Sequence, residues 1–260
     1  MELTQTNCLN CGAQPAGAYC QDCGQKSDTH RISLPHLIKH DLVHGLWHFD
    51  KGLLFTLREA FLRPGHMAME YIKGKRIRYY NIFYLILIVL GINILTGVFL
   101  KTQLDITSEP GTEGLVVHKD RVDVSYYVKH YFKLLIFFVI PIFAFGGYVS
   151  FRKLKLNYAE HIHIAGSILL AGAMWYFFVI TGMYAGMKLE SLWFDLLVWG
   201  FVVIAWLQPA RVYYQAVSAS FTTAGFVLRM LLWHACVALI LYLILLLITA
   251  ITGKSNITFT

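Results

Sequence analysis

Charged side chains are scarce in this 260-residue chain, at 14% of residues, where soluble domains carry about a quarter. That shortage argues against a water-soluble enzyme of ordinary type. Acidic residues are rarer than basic ones, 15 against 22, which leaves a net charge of +7. A basic balance raises the question of polynucleotide binding. The charges, however, gather at the edges of long apolar stretches, as in a chain that crosses lipid. Several catalytic signatures are also missing. There is no Gly-rich phosphate loop, no GxSxG elbow and no HExxH, so nucleotide hydrolysis, serine esterase chemistry and zincin proteolysis lack their usual parts. No nucleic-acid module stands out, and no nucleic acid is expected as a partner. No internal repeat of the kind found in many transporters is visible. The first twenty residues lack both a basic start and an apolar core, so the first span is expected to serve as the targeting signal.

What is present is hydrophobic surface, 57% of the residues. The run 82–100 has no charge, and at ~1.5 Å per residue it approximately spans a ~30 Å hydrocarbon layer. Further spans are expected at about 134–151, with Pro141 inside, at 163–184, at 192–207 and at 230–252. The fourth is short and carries Asp195 near its start. The reading is an all-α polytopic membrane protein of about five transmembrane helices, occupying 81–260.

Orientation follows from the basic residues flanking the spans. Lys73, Lys75, Arg76 and Arg78 precede the first span, Arg152, Lys153 and Lys155 link the second to the third, and Arg211 and Arg229 flank the link to the fifth. Those segments are expected in the cytoplasm. The 102–130 segment, with its balanced charges, Lys188 and Lys254 fall on the other side. The N-terminus is then cytoplasmic and the C-terminus outside. Within 102–130, the runs 115–117 and 122–124 allow a hairpin, and Pro110-Gly111 allows a loop.

Four of the five cysteines fall in the first 23 residues as Cys8-x2-Cys11-x8-Cys20-x2-Cys23, each pair followed by a glycine, Gly12 and Gly24. Each CxxC can turn both thiolates toward one ion, and the glycine allows the left-handed turn that aims N–H groups at the sulfurs. Two such knuckles predict a small S4 ribbon for Zn(II) over residues 1–28, with Tyr19 as one of its few packing side chains. So small a segment cannot bury a core, so metal binding and folding are one event. A disulfide pair and an iron–sulfur site are the competing readings. The expected cytoplasmic location and the symmetry of the knuckles favour zinc. Four thiolates leave no open position for water, so this metal is structural. Cys236, alone in the fifth span, reads as a small buried apolar residue.

Residues 29–80 read as amphipathic juxtamembrane helices. In the first, His36, His40, His44 and His48 recur at steps of four, opposite Ile38, Leu42, Leu46 and Phe49. A second helix is expected over about Gly52 to Leu62, ending at Arg63-Pro64-Gly65, and a third over Met67 to Lys75. The histidines can simply face water while the apolar stripe lies among lipid headgroups. Alternatively His40, His44 and His48, with Asp41 or Asp50, offer ligands at i, i+4 spacing for a second metal. Glu160, His161 and His163, beside Tyr158 at the mouth of the third span, supply further candidates, since ionisable groups at lipid depth are costly unless paired or functional. His234 in the fifth span reads as a hydrogen-bonding residue facing the bundle.

The order of these features resembles a large family of uncharacterised bacterial membrane proteins, defined as a domain of unknown function, with an N-terminal zinc ribbon and a multi-span body. The pieces that carry the likeness are Cys8 to Gly12 and Tyr19 to Gln25, then His40-Asp41-x2-His44-x3-His48-x-Asp50-Lys51-Gly52. Leu62-Arg63-Pro64-Gly65, Glu70-Tyr71-Ile72-x-Gly74-Lys75-Arg76 and Tyr158-Ala-Glu160-His161 follow. The family pattern has Asn-Pro before the first span, where this chain has Asn81-Ile82. The resemblance implies a bacterial inner-membrane location and a zinc ribbon, and it implies no activity.

Three functions are compatible with these readings. The first is a membrane protein whose zinc-ribbon region binds a partner protein or lipid headgroups. The second is a membrane-embedded metal-dependent enzyme acting on a lipid-like substrate through His40, Asp41, His44, His48, Asp50, Glu160, His161 and His163. The third, a transporter, rests on little beyond Pro141 and the intramembrane glycines.

Overall fold

The structure is a computed structural model, and it describes residues 7–15, 17–29, 31–34, 52–103, 138–186 and 192–252. Seven helices run through them. They are α1 (Gly52–Leu62), α2 (Pro64–Ile72), α3 (Ile82–Gln103), α4 (Phe138–Ser150), α5 (Tyr158–Gly186), α6 (Leu192–Val217) and α7 (Thr223–Thr252). Short 3-10 turns follow α4 and α6. Among the described residues the sole β pairing is an isolated bridge between Tyr19 and Lys26 in the cysteine segment.

Among the described residues, three helices are long and apolar enough to cross a membrane, over Ile82–Leu100, Tyr158–Tyr184 and Thr223–Leu247. The third-span stretch begins earlier than its glycine-containing apolar run suggests. Asn157 caps the helix and carries it back through Tyr158, Glu160 and His161. The fifth likewise begins at Thr223, because Arg229 sits inside the first turns with its guanidinium folded back onto the Gly225 carbonyl. The fourth stretch lies in a helix that continues through Pro209 to Val217. The 102–130 segment lies almost wholly outside the described residues.

Burial orders the helices. More than half of the α5 window is covered by protein, against 17% of the α7 window, so α5 is the inner helix and α7 the outer one. Ala165, Ser167, Ala171 and Ala173 keep α5 narrow, which is how helices approach closely without a hydrophobic drive between them. Asn93 of α3 donates to the Ala173 carbonyl across 2.9 Å. Leu228, Leu231, Leu239 and Leu247 of α7 face outward, the pattern that acyl chains accept.

The first short helix has its expected bounds, Gly52–Leu62, while the next runs from Pro64 to Ile72 rather than from Met67 to Lys75. A single residue, Arg63, separates α1 from α2, and Pro64 starts α2 because a first turn has no use for its missing N–H. A Cβ on Gly65 would lie 2.1 Å from the Val212 carbonyl oxygen, so glycine is what lets α2 touch α6. Arg211 of α6 donates to the last carbonyls of α1, Phe61 and Leu62, at 2.8 Å each, satisfying acceptors that a helix end leaves open. Thr56, Glu59 and Ala60 of α1 and Met67 and Ala68 of α2 are buried. Both helices are therefore packed parts of one end of the bundle.

Candidate metal centre and its seat on the bundle

Two identical local devices build the cysteine cluster. In the first knuckle the Cys8 N–H donates to the Ala13 carbonyl and the Gly12 N–H to the Cys8 carbonyl. In the second, Cys20 donates to Gln25 and Gly24 to Cys20, all at 2.8 Å. Gly12 and Gly24 have φ of 81° and 76°, the left-handed region that glycine enters without a steric penalty. The knuckles face each other so that the Sγ atoms of Cys8 and Cys23 lie 3.6 Å apart and those of Cys11 and Cys20 lie 3.5 Å apart. All four sulfurs fall within 4.8 Å of one another, and none is in a disulfide. A tetrahedral ion with ~2.3 Å bonds to sulfur has edges of about 3.8 Å. The four cysteines therefore fit one metal ion.

The cluster is electrostatically uneven. Burial pushes the Cys8 thiol up, but the N–H groups of Cys11 and Asn10 and the thiols of Cys23 and Cys11 outweigh it and bring Cys8 to about 7. At Cys11 the Ala13 N–H acts downward and is outweighed by the thiol of Cys20 together with burial and the thiols of Cys23 and Cys8, which take it up to about 12. One sulfur is thus near ionisation at neutral pH, a start for metal binding, which needs thiolates.

The expected packing role of Tyr19 is not seen. Its backbone pairs with Lys26 while the side chain is 61% exposed, because the ribbon packs toward the bundle through other residues. Gln25 is buried, and its Nε2 donates to the Gly74 carbonyl at 2.7 Å. Its Oε1 accepts from the N–H groups of Arg76 at 3.1 Å and Ile77 at 3.3 Å. Gly74 has a φ of 101° and lies so close to Leu9 that a Cβ there would be 2.4 Å from Leu9 Cδ1. The turn after α2 is thus the ribbon's seat.

The chain leaving the ribbon makes a second attachment. Arg31 meets Glu160 with two parallel bonds, Nε to Oε1 at 2.6 Å and Nη2 to Oε2 at 2.7 Å, the bidentate geometry that arginine forms with carboxylates. Arg31 also donates to the Lys155 carbonyl, and Asn157 Nδ2 to the Ile32 carbonyl, both at 2.8 Å. Glu160 further accepts the Asn157 N–H at 2.7 Å, while its own N–H donates to Asn157 Oδ1 at 2.9 Å. Asn157 and Glu160 form a capping box at the start of α5.

The remaining sequence candidates disperse. His161 lies 3.4 Å through Nδ1 from the Tyr213 hydroxyl of α6, and His163 stacks on Tyr71 of α2 with ring centroids 4.1 Å apart. Glu160, His161 and His163 are all buried, yet each faces a different neighbour, and the only described group of metal-ligating side chains is the four cysteines. His36, His40, Asp41, His44, His48 and Asp50 lie outside the described residues. His234 bonds the Met230 carbonyl through Nδ1 at 2.8 Å, and Cys236 is half-buried. Gln25, Arg31 and Asn157 are the residues that sequence reasoning passes over. Asn157-x-x-Glu160 ahead of an apolar run was a legible cap signal.

Residues 50–92 match a family model described as Protein of unknown function (DUF3667). The matched segment holds α1, α2, the Gly74 turn and the first half of α3, which includes the seat of the ribbon. No curated protein matches the chain, and no solved structure does.

Proposed function

We propose that this chain is an integral protein of the bacterial inner membrane, with about five spans, a cytoplasmic N-terminus and an outside C-terminus. In it Cys8, Cys11, Cys20 and Cys23 hold one structural Zn(II), and the zinc-ribbon end is a binding platform for lipid headgroups or a partner protein. The observation that carries this reading is the seating of the ribbon. Gln25 and Arg31 hold it against α2 and the start of α5, so a metal-stabilised module is fixed at one end of membrane-compatible helices. Basic residues cluster on the same elements: Lys73, Lys75, Arg76 and Arg78 after α2, and Arg152, Lys153 and Lys155 before α5. This supports both the orientation and an anionic ligand.

The contacts of Glu160 count against the metalloenzyme reading. Both carboxylate oxygens are occupied by Arg31 and the Asn157 N–H, which leaves this residue the role of a structural anchor. A closed S4 site offers no coordination position for a substrate.

Elemental analysis of detergent-purified protein tests the proposal, beside a variant with all four ribbon cysteines replaced by serine. One zinc per chain in the wild type and none in the variant is the expected result. Metal that persists in the variant and disappears on further replacing His44 or Glu160 would overturn it in favour of a catalytic site.

A further inference from the structure

The seam between ribbon and bundle holds an open, solvent-facing cavity of about 380 Å³. Its wall carries four cationic side chains from three separate parts of the chain: Arg31 from the ribbon's exit, Lys73 and Arg76 from the turn after α2, and Lys155 from the link before α5. The only carboxylate in the wall is Glu160, and it is already engaged by Arg31 and Asn157. Beyond the Arg31–Glu160 pair lies a second cavity of about 400 Å³ that shares Arg31 and Lys155 and adds Arg152, with Tyr148 and Tyr158.

Four cations from separate segments around one groove, with a single carboxylate already paired to Arg31, leave a positive field that attracts an anion. The height is also informative. Lys155 lies three residues before the apolar window that begins at Tyr158, and Arg76 lies six before the one that begins at Ile82, so the cavity sits where a span meets the headgroup layer. Leu9 and Leu154 line the same wall, giving apolar surface beside the charges. Resting on the reading of the ribbon end as a binding platform, we propose that this seam is a binding site for the phosphate group of an anionic lipid headgroup, with Lys73, Arg76 and Lys155 as its ligands and Arg31 as the post dividing its two lobes. Several nonbridging oxygens on one phosphorus suit donors arriving from several directions. Because Leu9 lies between Cys8 and Cys11, the metal-binding knuckle forms part of the wall.

Native mass spectrometry of the full-length protein in neutral detergent reads metal content and bound lipid in one spectrum. The probes are phosphatidylglycerol, phosphatidylcholine, diacylglycerol and inorganic phosphate. The cavity variant is K73Q/K155N, with asparagine chosen because position 155 has a φ of +53°, which asparagine tolerates. The control, K26Q/R58Q, removes two exposed charges that line neither cavity and lie outside the basic clusters beside α2 and α5. We expect one phosphatidylglycerol per chain, in preference to the zwitterionic and phosphate-free lipids, and ~10-fold weaker binding in the cavity variant alone, as for lost charge-assisted bonds at a wet site. Equal binding by the cavity variant and the control, with zinc still present in both, would overturn the cavity while leaving the ribbon reading intact. Absence of zinc would overturn the ribbon reading, and the lipid comparison would still decide the cavity. If inorganic phosphate binds with the same dependence on Lys73 and Lys155 while phosphatidylglycerol does not, the ligand is free phosphate and the lipid assignment fails.

Discussion

The two knuckles of the ribbon have the same backbone and different duties. Position five after the first cysteine accepts the knuckle's hydrogen bond in both, through the carbonyls of Ala13 and Gln25. The Gln25 side chain is 4% exposed and makes three bonds to the Gly74 turn, while Ala13 has no polar side chain to offer. Position one reverses the roles. Leu9, though 40% exposed, presses on Gly74 and lines the seam, whereas its counterpart Gln21 does not line it. Metal geometry alone would allow two interchangeable knuckles. Docking on the bundle breaks the symmetry, and each knuckle supplies one seam residue from a position that the other leaves unused.

The largest effect on that comparison comes from removing the four thiols. Replacing Cys8, Cys11, Cys20 and Cys23 by serine should abolish both knuckles together, since a segment with so little apolar core folds only around its ion. Hydrogen exchange over 7–29 should then lose its protection entirely, and the Ile77 amide, whose acceptor is Gln25, should lose its own in step, with a smaller loss at Arg76, whose N–H also donates to the Gly74 carbonyl at 3.0 Å. Protection at 76 and 77 that survives would mean that the turn holds itself. Gln25→Ala comes next. It removes the acceptor of the Ile77 N–H and one partner each from the Arg76 N–H and the Gly74 carbonyl, which still bond one another at 3.0 Å, and should cost about 1–2 kcal/mol of seam stability. Ala13→Gln should leave the same amides unchanged. If the two substitutions behave alike, the knuckles are equivalent after all.

Arg31→Gln should rank third. Breaking a buried ion pair costs about 3–5 kcal/mol, but the Arg31 side chain is 58% exposed, so water compensates part of the loss, and about 1–2 kcal/mol is expected. Exchange at the Asn157 amide, which bonds Glu160 directly, should rise little, whereas Ile32 should detach. A fully released α5 terminus would instead show that Arg31, not the capping box, holds it.

The cysteine spacing is enough to foresee that the four sulfurs converge where one metal ion could sit, because a knuckle is a local structure set by a few consecutive residues. The long apolar helices are legible for a similar reason, their signal being repeated over twenty or more positions. Glu160 is a harder case. Its burial at a helix start is foreseeable, yet whether such a carboxylate holds a metal or an arginine depends on Arg31, 129 residues away, and no periodicity reports that. Tyr19 shows the opposite failure. An aromatic in a tiny module invites a packing role, but the module has a neighbour to pack on, and Leu9, Gln25 and Ile32 face it. The start of α2 at Pro64 is legible as proline in a first helical turn, whereas the packing of α2 on α6 turns on Gly65 meeting the Val212 carbonyl, a tertiary contact that only the fold reveals.

The smallest effect tests whether the seat of the ribbon is rigid by itself. Glu70 of α2 accepts from the Tyr79 hydroxyl at 2.6 Å and is approached by Lys75 at 3.3 Å and Arg78 at 3.5 Å, which ties the turn at both ends. The Tyr79 hydroxyl, chiefly, then Lys75 and Arg78, hold the Glu70 carboxyl below its ordinary value, against the opposing effect of partial burial. A depressed carboxyl contributes stability that is complete above its unfolded value near 4.5 and is lost as pH falls through the lower folded value. The turn should therefore keep its exchange protection down to about pH 4.5 and weaken below it. Because Glu70 is partly exposed, the loss should stay under about 1 kcal/mol. Glu70→Gln should flatten that acid limb while leaving zinc content unchanged at neutral pH. An acid limb that persists unaltered in Glu70→Gln would place the pH sensitivity in the cysteine cluster, whose thiolates also take up protons in acid, and the seat would then owe its order to the ribbon above it.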